Sequence, residues 1–445
     1  VQTAYGTVQG TREDGAAAVL FKGIPYARPP IGNRRWKRPE KPESWQSVRV
    51  CDHFSPTSIQ GGKNANPYAA FYDKEFYPVV MPSSEDCLYL NVWTPAASPE
   101  DRLPVMFWIH GGGFGGGYGH EMEFDGEAFA RQGVILVTIN YRTGLFGFMA
   151  HPELSAENPE GISGNYGIFD QIAALAWVRE NIAAFGGDPD RITIFGQSAG
   201  AKSVEILCAT ERTHGMMQRA VMHSGGGIGA IREDQTLAGM ERIGEEIFRF
   251  MGADSLEAMR AMPAHALQEA IQDFRPSTLK GFGLYLVPNI DNVLLDRVSA
   301  DKILRGEHND LDYMLGFNRD ELAGFTQMEQ GVFRFAENQV RHGRRPAHVY
   351  SFERKLPGDD AGSFHTAELW YVFGSLGRCW RPFTDGDYRL SKQLVSYWCN
   401  FAKTGDPNGD DVPEWPAWLS ERRAYQMLDL EIETRLSTLA LPEDA

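Results

Sequence analysis

Short apolar runs of strand length recur between residues 88 and 223 of the chain. The runs are LYLNVWTP, LPVMFWIH, GVILVTINYR, RITIFG and RAVMHSG. The third run, residues 133–142, is nearly all apolar, as expected of a strand that is covered on both faces. Residues 165–187 instead place apolar side chains mostly at helical spacing and end in two glycines. Strands that alternate with helices predict an α/β fold with a mostly parallel central sheet, covered by helices on both faces.

The two ends of the chain have different patterns. The first ninety residues indicate short strands and turns, because frequent prolines prevent helix formation there. Beyond residue 227 the pattern is mainly helical, apart from the strand-like DYMLGFN and AHVYSF, and an amphipathic helix ends near Gly405 and Pro407. No repeat or linker divides the sequence. We therefore predict one domain over residues 1–445, with helical cap or insert elements after about residue 227.

Composition and charge exclude several classes of partner. Of the 445 residues 42% are hydrophobic and 23% are charged, which is ordinary for a globular protein with a large core. The net charge of −16 and the pI of 5.2 argue against nucleic acid or an anionic membrane as the main partner. The longest apolar runs are far too short to cross a bilayer, so we expect no stable membrane insertion.

The N-terminus and the cysteines bear on the cellular compartment. The opening VQTAYGTVQG lacks the basic start and apolar centre of a signal peptide, although a removed signal peptide would leave no trace. The five cysteines are scattered, without the paired spacing of a disulfide framework or a zinc site. This pattern favours a reducing, cytoplasmic compartment.

A glycine-rich stretch, HGGGFGGGYGH, follows directly on the apolar run LPVMFWI, and seven of its eleven residues are glycine. Glycine allows a ligand to approach main-chain N–H groups closely. A dinucleotide-binding loop is one interpretation, but no amphipathic helix follows at once and no strand ends in an acidic residue at the expected distance. A flexible surface loop is the second interpretation. The third is an oxyanion hole, which requires a nucleophile elsewhere in the chain.

The sequence GQSAG, residues 196–200, supplies a candidate nucleophile. It joins the predicted strand RITIF to a predicted helix, and a tight strand-to-helix turn forces its serine, Ser198, into a strained and exposed position. An ordinary turn with an incidental serine is the alternative. A serine hydroxyl needs a base to accept its proton and a third group to hold that base. In such a fold the chain order is serine, acid, histidine.

Several longer motifs carry a family resemblance. The segments FGGDPDRITIFGQSAG and EDCLYLNV resemble the two signatures of the type-B carboxylesterases, which are relatives of the cholinesterases. FKGIPYARPPIGNRRW and NYRTGLFGF are also similar to blocks of that family, and the resemblance continues in patches to about residue 410. It implies an α/β-hydrolase fold and a serine esterase that acts on small ester substrates without a cofactor or a metal.

The resemblance also implies the remaining site residues. GFNRDELAGF resembles the block of the catalytic acid and indicates Glu321 rather than Asp320, and GSFHTAELWYVFG resembles the histidine block and indicates His365. HGGGF matches the oxyanion loop, so the expected N–H donors are those of three residues: Gly112, Gly113 and Ala199.

Two further assignments concern Ser224, through the resemblance, and the histidines beside the glycines, through the spacing of possible ligands. Ser224 resembles a position that hydrogen-bonds the catalytic acid, with a plain strand-end serine as the alternative. His110 and His120 flank the glycines, but no third ligand stands at metal spacing, so we expect no metal site.

The resemblance implies hydrolysis of carboxylic esters through an acyl-enzyme, with two further substrate or function classes open. Bulky aromatic esters of the feruloyl type, or lipids, would suit a pocket lined by the aromatic residues of two segments, although aromatic side chains more often belong to the core. These residues are Phe71, Tyr72, Phe76, Tyr77, Trp370, Tyr371 and Phe373. A non-catalytic binding protein on the same fold is the third class, and the complete triad argues against it.

The sequence departs from the family pattern at four places. Glu321 and His365 are only 44 residues apart (365 − 321), so either the helices that usually lie between them are lost or the chain is joined across missing residues, near GFTQMEQGVFRF. Cys87 lacks a disulfide partner in PTSIQ, where one is expected. Thr366 stands where glycine is frequent. Gln197 replaces an acidic residue of the cholinesterases and argues against choline esters.

Overall fold

A ten-stranded sheet forms the centre of the protein. The computed structural model describes residues 1–61, 67–77, 79–229, 235–277, 284–322 and 327–441. The strands in these ranges are β1 (Val8–Gln9), β2 (Val19–Pro25), β3 (Arg49–Val50), β4 (Tyr89–Thr94), β5 (Leu103–Ile109), β6 (Ile135–Ile139), β7 (Gly187–Gln197), β8 (Arg219–His223), β9 (Asp312–Asn318), β10 (His348–Phe352), β11 (Ala424–Leu428) and β12 (Glu433–Leu436).

Helices cover the sheet and form the connections between its strands. They are α1 (Pro67–Phe76), α2 (Glu127–Arg131), α3 (Gly144–Phe148), α4 (Pro152–Glu157), α5 (Tyr166–Asn181), α6 (Ala199–Ala209), α7 (Leu237–Met251), α8 (Leu256–Ala261), α9 (Ala264–Ile271), α10 (Ser299–Leu304), α11 (Met328–Arg341), α12 (Leu369–Val372) and α13 (Asp385–Thr404). Within the described ranges, no helix combines the length and the apolar character needed to cross a bilayer.

The strand order of the sheet is β12-β11-β10-β9-β8-β7-β5-β6-β4-β2. The seven strands from β6 to β11 in this order pair in parallel, and the pairs β2–β4, β4–β6 and β11–β12 are antiparallel. Parallel neighbours require crossover helices, and α5 and α6 follow β6 and β7 in the chain. The predicted fold class is confirmed: this is an α/β-hydrolase fold.

Alternate side chains of the central strands bury against helices on opposite faces. From β5, Val105, Phe107 and Ile109 join the apolar cluster that contains the buried faces of α5 and α6. Met106 and Trp108 point the other way, into a cluster with residues of α2 and α13. This period of two on a fully covered strand explains why the run is apolar at nearly every position.

The structure corrects the expectation for the first ninety residues. They were predicted as strands and turns, but α1 (Pro67–Phe76) lies among them, with proline at a position where a helix tolerates it.

The strands β11 and β12 near the C-terminus were not predicted, because they are short and β12 alternates charged and polar residues. The segment 323–326, which belongs to the suspected junction between acid and histidine, lies outside the described residues.

Candidate active site

Ser198 occupies the turn between strand and helix that GQSAG predicts. Strand β7 ends at Gln197 and α6 begins at Ala199, and Ser198 between them has φ 56° and ψ −123°. A non-glycine residue with positive φ is strained, and such strain is typical of functional turns. The turn is tight: a Cβ at Gly200 would lie 2.7 Å from the His110 carbonyl oxygen. The Ser198 side chain remains half-exposed at the end of the sheet.

Glu321 and His365 are in direct contact although 44 residues separate them. His365 Nδ1 lies 2.5 Å from Glu321 Oε2, and both side chains are largely buried. Burial favours the neutral imidazole, but the charge and hydrogen bond of Glu321 outweigh it, so the pKa of His365 is raised. The pair fixes the imidazole with Nδ1 as the donor, which leaves Nε2 as the basic nitrogen.

The other ring nitrogen of His365 faces the residue before Ser198. Gln197 Nε2 lies 3.1 Å from His365 Nε2, at the distance of a donated hydrogen bond. Among the described residues, no hydrogen bond joins Ser198 Oγ to His365. The imidazole therefore lies beside the Gln197–Ser198 turn, with the Gln197 amide at its basic nitrogen.

The adjacent Asp320 points away from the histidine. Its Oδ2 accepts hydrogen bonds from the Ser363 backbone N–H at 2.9 Å and from the Ser363 hydroxyl at 3.3 Å. It thus ties the acid loop to the histidine loop, while Glu321 alone of the two carboxylates contacts His365. This arrangement agrees with the choice of Glu321 over Asp320 that the sequence motif implied.

Two polar residues of the site were missed by the sequence analysis. The Asn318 backbone N–H donates to Glu321 Oε1 at 2.9 Å, and its side-chain amide donates to Glu368 Oε2 at 2.5 Å. Asn318 ends β9, so its position at the carboxyl end of a parallel strand was the available signal. Glu368 is a fully buried carboxylate three residues after His365, which its sequence context alone did not reveal.

The glycine-rich loop lies against the nucleophile. A Cβ at Gly111 would be 3.2 Å from Ser198 Cβ, so the loop backbone is in van der Waals contact with that side chain. Gly112 and Gly113 have φ values of 98° and 61°. In the part of the chain that the structure describes, their N–H groups and that of Ala199 donate to no protein oxygen. These three N–H groups are thus available to a ligand beside Ser198.

Ser224 lies at the end of β8 with an unusual backbone but without the hydrogen bond expected of it. Its φ is 48°, and its N–H donates to the Gly316 carbonyl at 2.8 Å. The Ser224 hydroxyl is buried and has no hydrogen-bond partner within the described ranges. Its predicted bond to Glu321 is absent there, so a role toward the acid stays a prediction.

The two histidines that flank the glycines are buried against aromatic rings. His110 stacks on Tyr141 at 4.2 Å and His120 on Phe54 at 4.6 Å between ring centroids. Burial lowers the pKa of His110 to about 3 and that of His120 to about 4. No group of three or more potential metal ligands occurs among the residues that the structure describes.

The aromatic residues considered for a pocket divide into two groups. Core positions are occupied by four of them, all nearly inaccessible to solvent: Phe76, Trp370, Tyr371 and Phe373. Phe71, Tyr72 and Tyr77 of the other segment are half-buried. Phe71 packs edge-on against Phe364 at 4.9 Å, and the Tyr72 hydroxyl donates to the His365 carbonyl at 3.0 Å. Segment α1 therefore borders the histidine loop.

Comparison with known families shows to which family the chain belongs. The model of the carboxylesterase family matches residues 1–335 and 324–441 of the chain. The chain belongs to the carboxylesterase family. A para-nitrobenzyl esterase of Bacillus subtilis is 34% identical over 97% of this chain and 95% of the relative. Liver carboxylesterase 1 of Oryctolagus cuniculus is 30% identical, covering 94% of this esterase and 87% of the relative. A fumonisin B1 esterase of Sphingopyxis macrogoltabida is 32% identical, over 96% and 85% respectively.

Solved structures agree with this membership. A PNB esterase structure superimposes with a TM-score of 0.86 at 32% identity, covering 98% of this chain and 96% of the other. A Geobacillus stearothermophilus carboxylesterase gives a TM-score of 0.81, also at 32% identity, over 98% and 97% of the two chains. This carboxylesterase is therefore an ester-hydrolysing enzyme of a family that acts on small ester substrates, and a triad and an oxyanion hole are typical of that family.

Proposed function

We propose that this esterase hydrolyses carboxylic esters with Ser198 as nucleophile, His365 as general base and Glu321 as the residue that orients the imidazole. The 2.5 Å contact between Glu321 and His365, beside a serine held in a strained turn, carries the proposal. Glu321 sets the tautomer in which Nε2 can accept a proton and favours the imidazolium that forms during the reaction. No other described carboxylate makes a hydrogen bond to that ring.

The reaction proceeds in two acyl-transfer steps. Ser198 Oγ attacks the ester carbonyl carbon while His365 Nε2 accepts its proton, and the tetrahedral intermediate then releases the alcohol, which takes that proton. Water repeats the sequence: His365 accepts its proton, the hydroxyl attacks the acyl carbon, and Ser198 Oγ leaves with the proton as the free acid forms. Ser198 and His365 are thus regenerated in each cycle.

We assign the oxyanion hole to the N–H groups of Gly112, Gly113 and Ala199. Their lack of acceptors and the contact between Gly111 and Ser198 support this assignment. The first N–H groups of α6 have no partner within the helix, and its dipole favours negative charge there. Loss of one such donor typically lowers the rate about 10²–10³-fold.

We propose that the substrates are carboxylic esters that carry an apolar group of moderate size. Leu284, 57% exposed, lies beside Gly113, where a Cβ would come within 3.4 Å of Leu284 Cδ2. Phe71 and Tyr72 border the histidine loop. Because Trp370, Tyr371 and Phe373 belong to the core, fewer aromatic residues are left for a large aromatic pocket than the sequence suggested. Nitrobenzyl esters, after which the Bacillus subtilis relative is named, are natural first substrates to test.

We further propose that residues 1–445 act as one α/β-hydrolase domain. The single ten-stranded sheet supports this, since its strands extend from β2 near the N-terminus to β12 near the C-terminus. The helices α7 to α9, after residue 227, would then be insert elements of the same domain.

The test is hydrolysis of p-nitrophenyl esters of increasing acyl length by the wild type and by Ser198→Ala. We expect kcat/KM of the variant to fall by at least about 10⁴-fold, because the nucleophile is removed. The profile of kcat/KM against acyl length then measures the acyl pocket. Ser203→Ala, which removes a buried hydroxyl of α6 away from the turn, is the matched control. Retained turnover in Ser198→Ala would refute the mechanism.

A further inference from the structure

We propose that Gln60 is a positioning residue for the oxyanion loop, a role that rests on the proposed function of Gly112 and Gly113. The Gln60 side chain makes two hydrogen bonds to one residue of that loop. Its Oε1 accepts the Gly117 N–H at 2.6 Å, and its Nε2 donates to the Gly117 carbonyl at 2.9 Å. A carboxamide that bonds both polar groups of one residue fixes the orientation of that backbone as well as its position.

Gly117 is packed directly against the start of the loop. A Cβ there would lie 2.5 Å from His110 Nδ1 and 2.6 Å from the Gly111 carbonyl oxygen, so the backbone of Gly117 touches both residues. Its φ of 94° is a conformation that L side chains rarely adopt. A displacement of Gly117 therefore displaces Gly111, which contacts Ser198.

Gly116, the residue before Gly117, makes a second contact with the start of the loop, at Gly112. A Cβ at Gly112 would overlap the Gly116 carbonyl, and the Gly116 N–H donates to the Gly112 carbonyl at 3.1 Å. Gly112 is thus held by a residue whose neighbour is bonded to Gln60. The path from Gln60 to a proposed oxyanion donor consists of backbone contacts without a flexible side chain.

The segment that carries Gln60 is itself anchored. Ile59 is buried, the Ser58 hydroxyl accepts the Thr143 N–H at 3.1 Å, and the Thr57 N–H donates to the Pro82 carbonyl at 2.9 Å. Gln60 therefore connects a fixed part of the fold to Gly115, Gly116 and Gly117, consecutive glycines that have no side chains with which to pack. Residues further along the loop have other supports, since the Tyr118 N–H donates to Glu121 at 2.8 Å.

The chain offers two informative substitutions. Gln60→Met keeps the length of the side chain and removes both hydrogen bonds. Gln60→Glu keeps an acceptor for the Gly117 N–H but cannot donate to the Gly117 carbonyl. If Gln60 sets the donor geometry, both variants lose stabilisation of the transition state. We expect kcat to fall about 10–100-fold, below the effect of deleting a donor, with KM within about twofold of the wild type because ground-state binding does not use these donors.

Gln268→Ala is the matched control. Gln268 donates to the carbonyl of the residue next to Gln60, Gly61, at 3.0 Å, and no hydrogen bond joins it to the oxyanion loop within the described residues. Its removal takes away one of the two glutamine donors to that carbonyl, since Gln272 also donates to it, and we expect kcat and KM to stay at wild-type values.

The experiment measures kcat, KM and the inhibition constant of a trifluoromethyl ketone, with rates corrected by active-site titration. The ketone adds to the serine and places an oxyanion in the hole, so its affinity should weaken by the same factor as kcat/KM. A kcat within twofold of wild type in both Gln60 variants would overturn the proposal. So would fewer titratable sites with unchanged kcat per site and unchanged ketone affinity, because Gln60 would then only support folding. Ser198→Ala in the same series tests the proposed mechanism separately.

Discussion

At the residue scale, the pH dependence of the reaction should follow the basic nitrogen of His365, the general base that we propose. The imidazole acts as a base only while neutral, and the Glu321 carboxylate, against the effect of burial, raises its pKa above the ordinary value of 6.5. Activity should therefore fall as the pH drops through this raised pKa. The neighbour at Nε2, Gln197, is neutral, so it does not add to the shift.

Gln197→Glu tests this balance. A carboxylate at the present position of the amide, 3.1 Å from Nε2, would favour the imidazolium. We expect the acidic limb of the profile of kcat/KM against pH to move upward by about one pH unit, with a lower rate at neutral pH. The profile is measured with p-nitrophenyl acetate. Gln171→Glu, at a buried glutamine that bonds Ser203, is the control for an added carboxylate, and an acidic limb shifted equally in both variants would contradict the account.

A second residue-scale prediction concerns backbone strain at Thr366, directly after the histidine that we propose as the general base. Thr366 has φ 83°, which is costly for a β-branched residue. Thr366→Gly removes this backbone strain but makes the unfolded chain more flexible. We expect a net gain of about 1 kcal/mol in the free energy of unfolding. Urea denaturation measures it. Thr366→Ala keeps a Cβ and should gain less than the glycine variant; equal gains would show that the strain is not in the backbone.

The residues of the site were predictable in part. Ser198 could be found from GQSAG at a strand-to-helix turn, whereas Glu321 and His365 depended on the family resemblance, because a single sequence does not show which acid meets which histidine. Asn318, Glu368 and Gln60 were missed because their roles depend on contacts over long separations in the chain. The hydrogen bonds between Gln60 and Gly117, for example, join residues 57 positions apart.

At the scale of elements, no disulfide joins Cys87 to the segment PTSIQ, which precedes α1 in the chain. All five cysteines have free thiols. Ser58 and Cys87 line the same small cavity. Ser58 belongs to PTSIQ, the segment in which the sequence analysis expected a disulfide partner for Cys87.

Ser58→Cys should therefore form a disulfide with Cys87 under oxidising conditions. Closing this loop of about 30 residues should raise the free energy of unfolding by about 3 kcal/mol relative to the same variant in reductant. Guanidinium denaturation with and without dithiothreitol measures the difference. Ser58→Ala shows the cost of losing the bond to Thr143, and a Ser58→Cys protein whose thiol count stays unchanged after oxidation would contradict the inferred proximity.

The elements themselves were predicted better where their patterns were long. The five strand-length apolar runs all lie on central strands of the sheet, and α5, α6 and α13 follow their helical spacing. The errors, α1, β11 and β12, are short elements whose sequence is polar or rich in aromatic residues. The conformation of α1 depends on packing, such as that of Phe76 on Trp370 at 5.4 Å, and exposed β12 is held by its antiparallel pairing with β11 rather than by local periodicity.

At the scale of the whole molecule, the small number of residues between Glu321 and His365 agrees with a chain that is shorter than its relatives. The alignment with the Bacillus subtilis relative spans 488 positions, more than the 445 residues of this chain, so that relative has residues that are missing here. The two matched segments of the family, 1–335 and 324–441, meet near α11. We infer that the residues of that relative without a counterpart here lie between Glu321 and His365, an interval in which the described part of this chain contains α11.

Global stability should also respond to two carboxyl groups buried beneath the oxyanion loop. Burial raises the pKa of Glu121 to about 7. Burial and the charge of Glu121 also raise the pKa of Glu123 well above its ordinary value, and Glu123 Oε2 has no hydrogen-bond partner in the described part of the chain. Both groups bind protons more tightly in the folded state, so their contribution to stability is complete below about pH 4.5 and is lost as the pH rises through these raised values.

Glu123→Gln replaces one of the two titratable carboxyl groups by an amide that does not titrate. Of the pair, only Glu121 then makes the stability depend on pH. We expect the free energy of unfolding of the variant, relative to the wild type, to increase with pH between 4.5 and 8, because only the wild type keeps this buried carboxyl group protonated in the folded state. Buried histidines with lowered pKa values act in the opposite sense but equally in both proteins. Urea denaturation at a series of pH values gives the difference, and a pH-independent difference would contradict a raised pKa at Glu123.

The central claim is that catalysis passes through a covalent bond to Ser198. The most direct test is reaction with a p-nitrophenyl phosphonate, followed by measurement of the intact mass and by peptide mapping. The account predicts one phosphonyl group per chain on Ser198, release of one equivalent of p-nitrophenol and parallel loss of esterase activity, with no adduct in Ser198→Ala. Full inactivation with the adduct on another residue, or an unlabelled Ser198 in an inactivated enzyme, would contradict it.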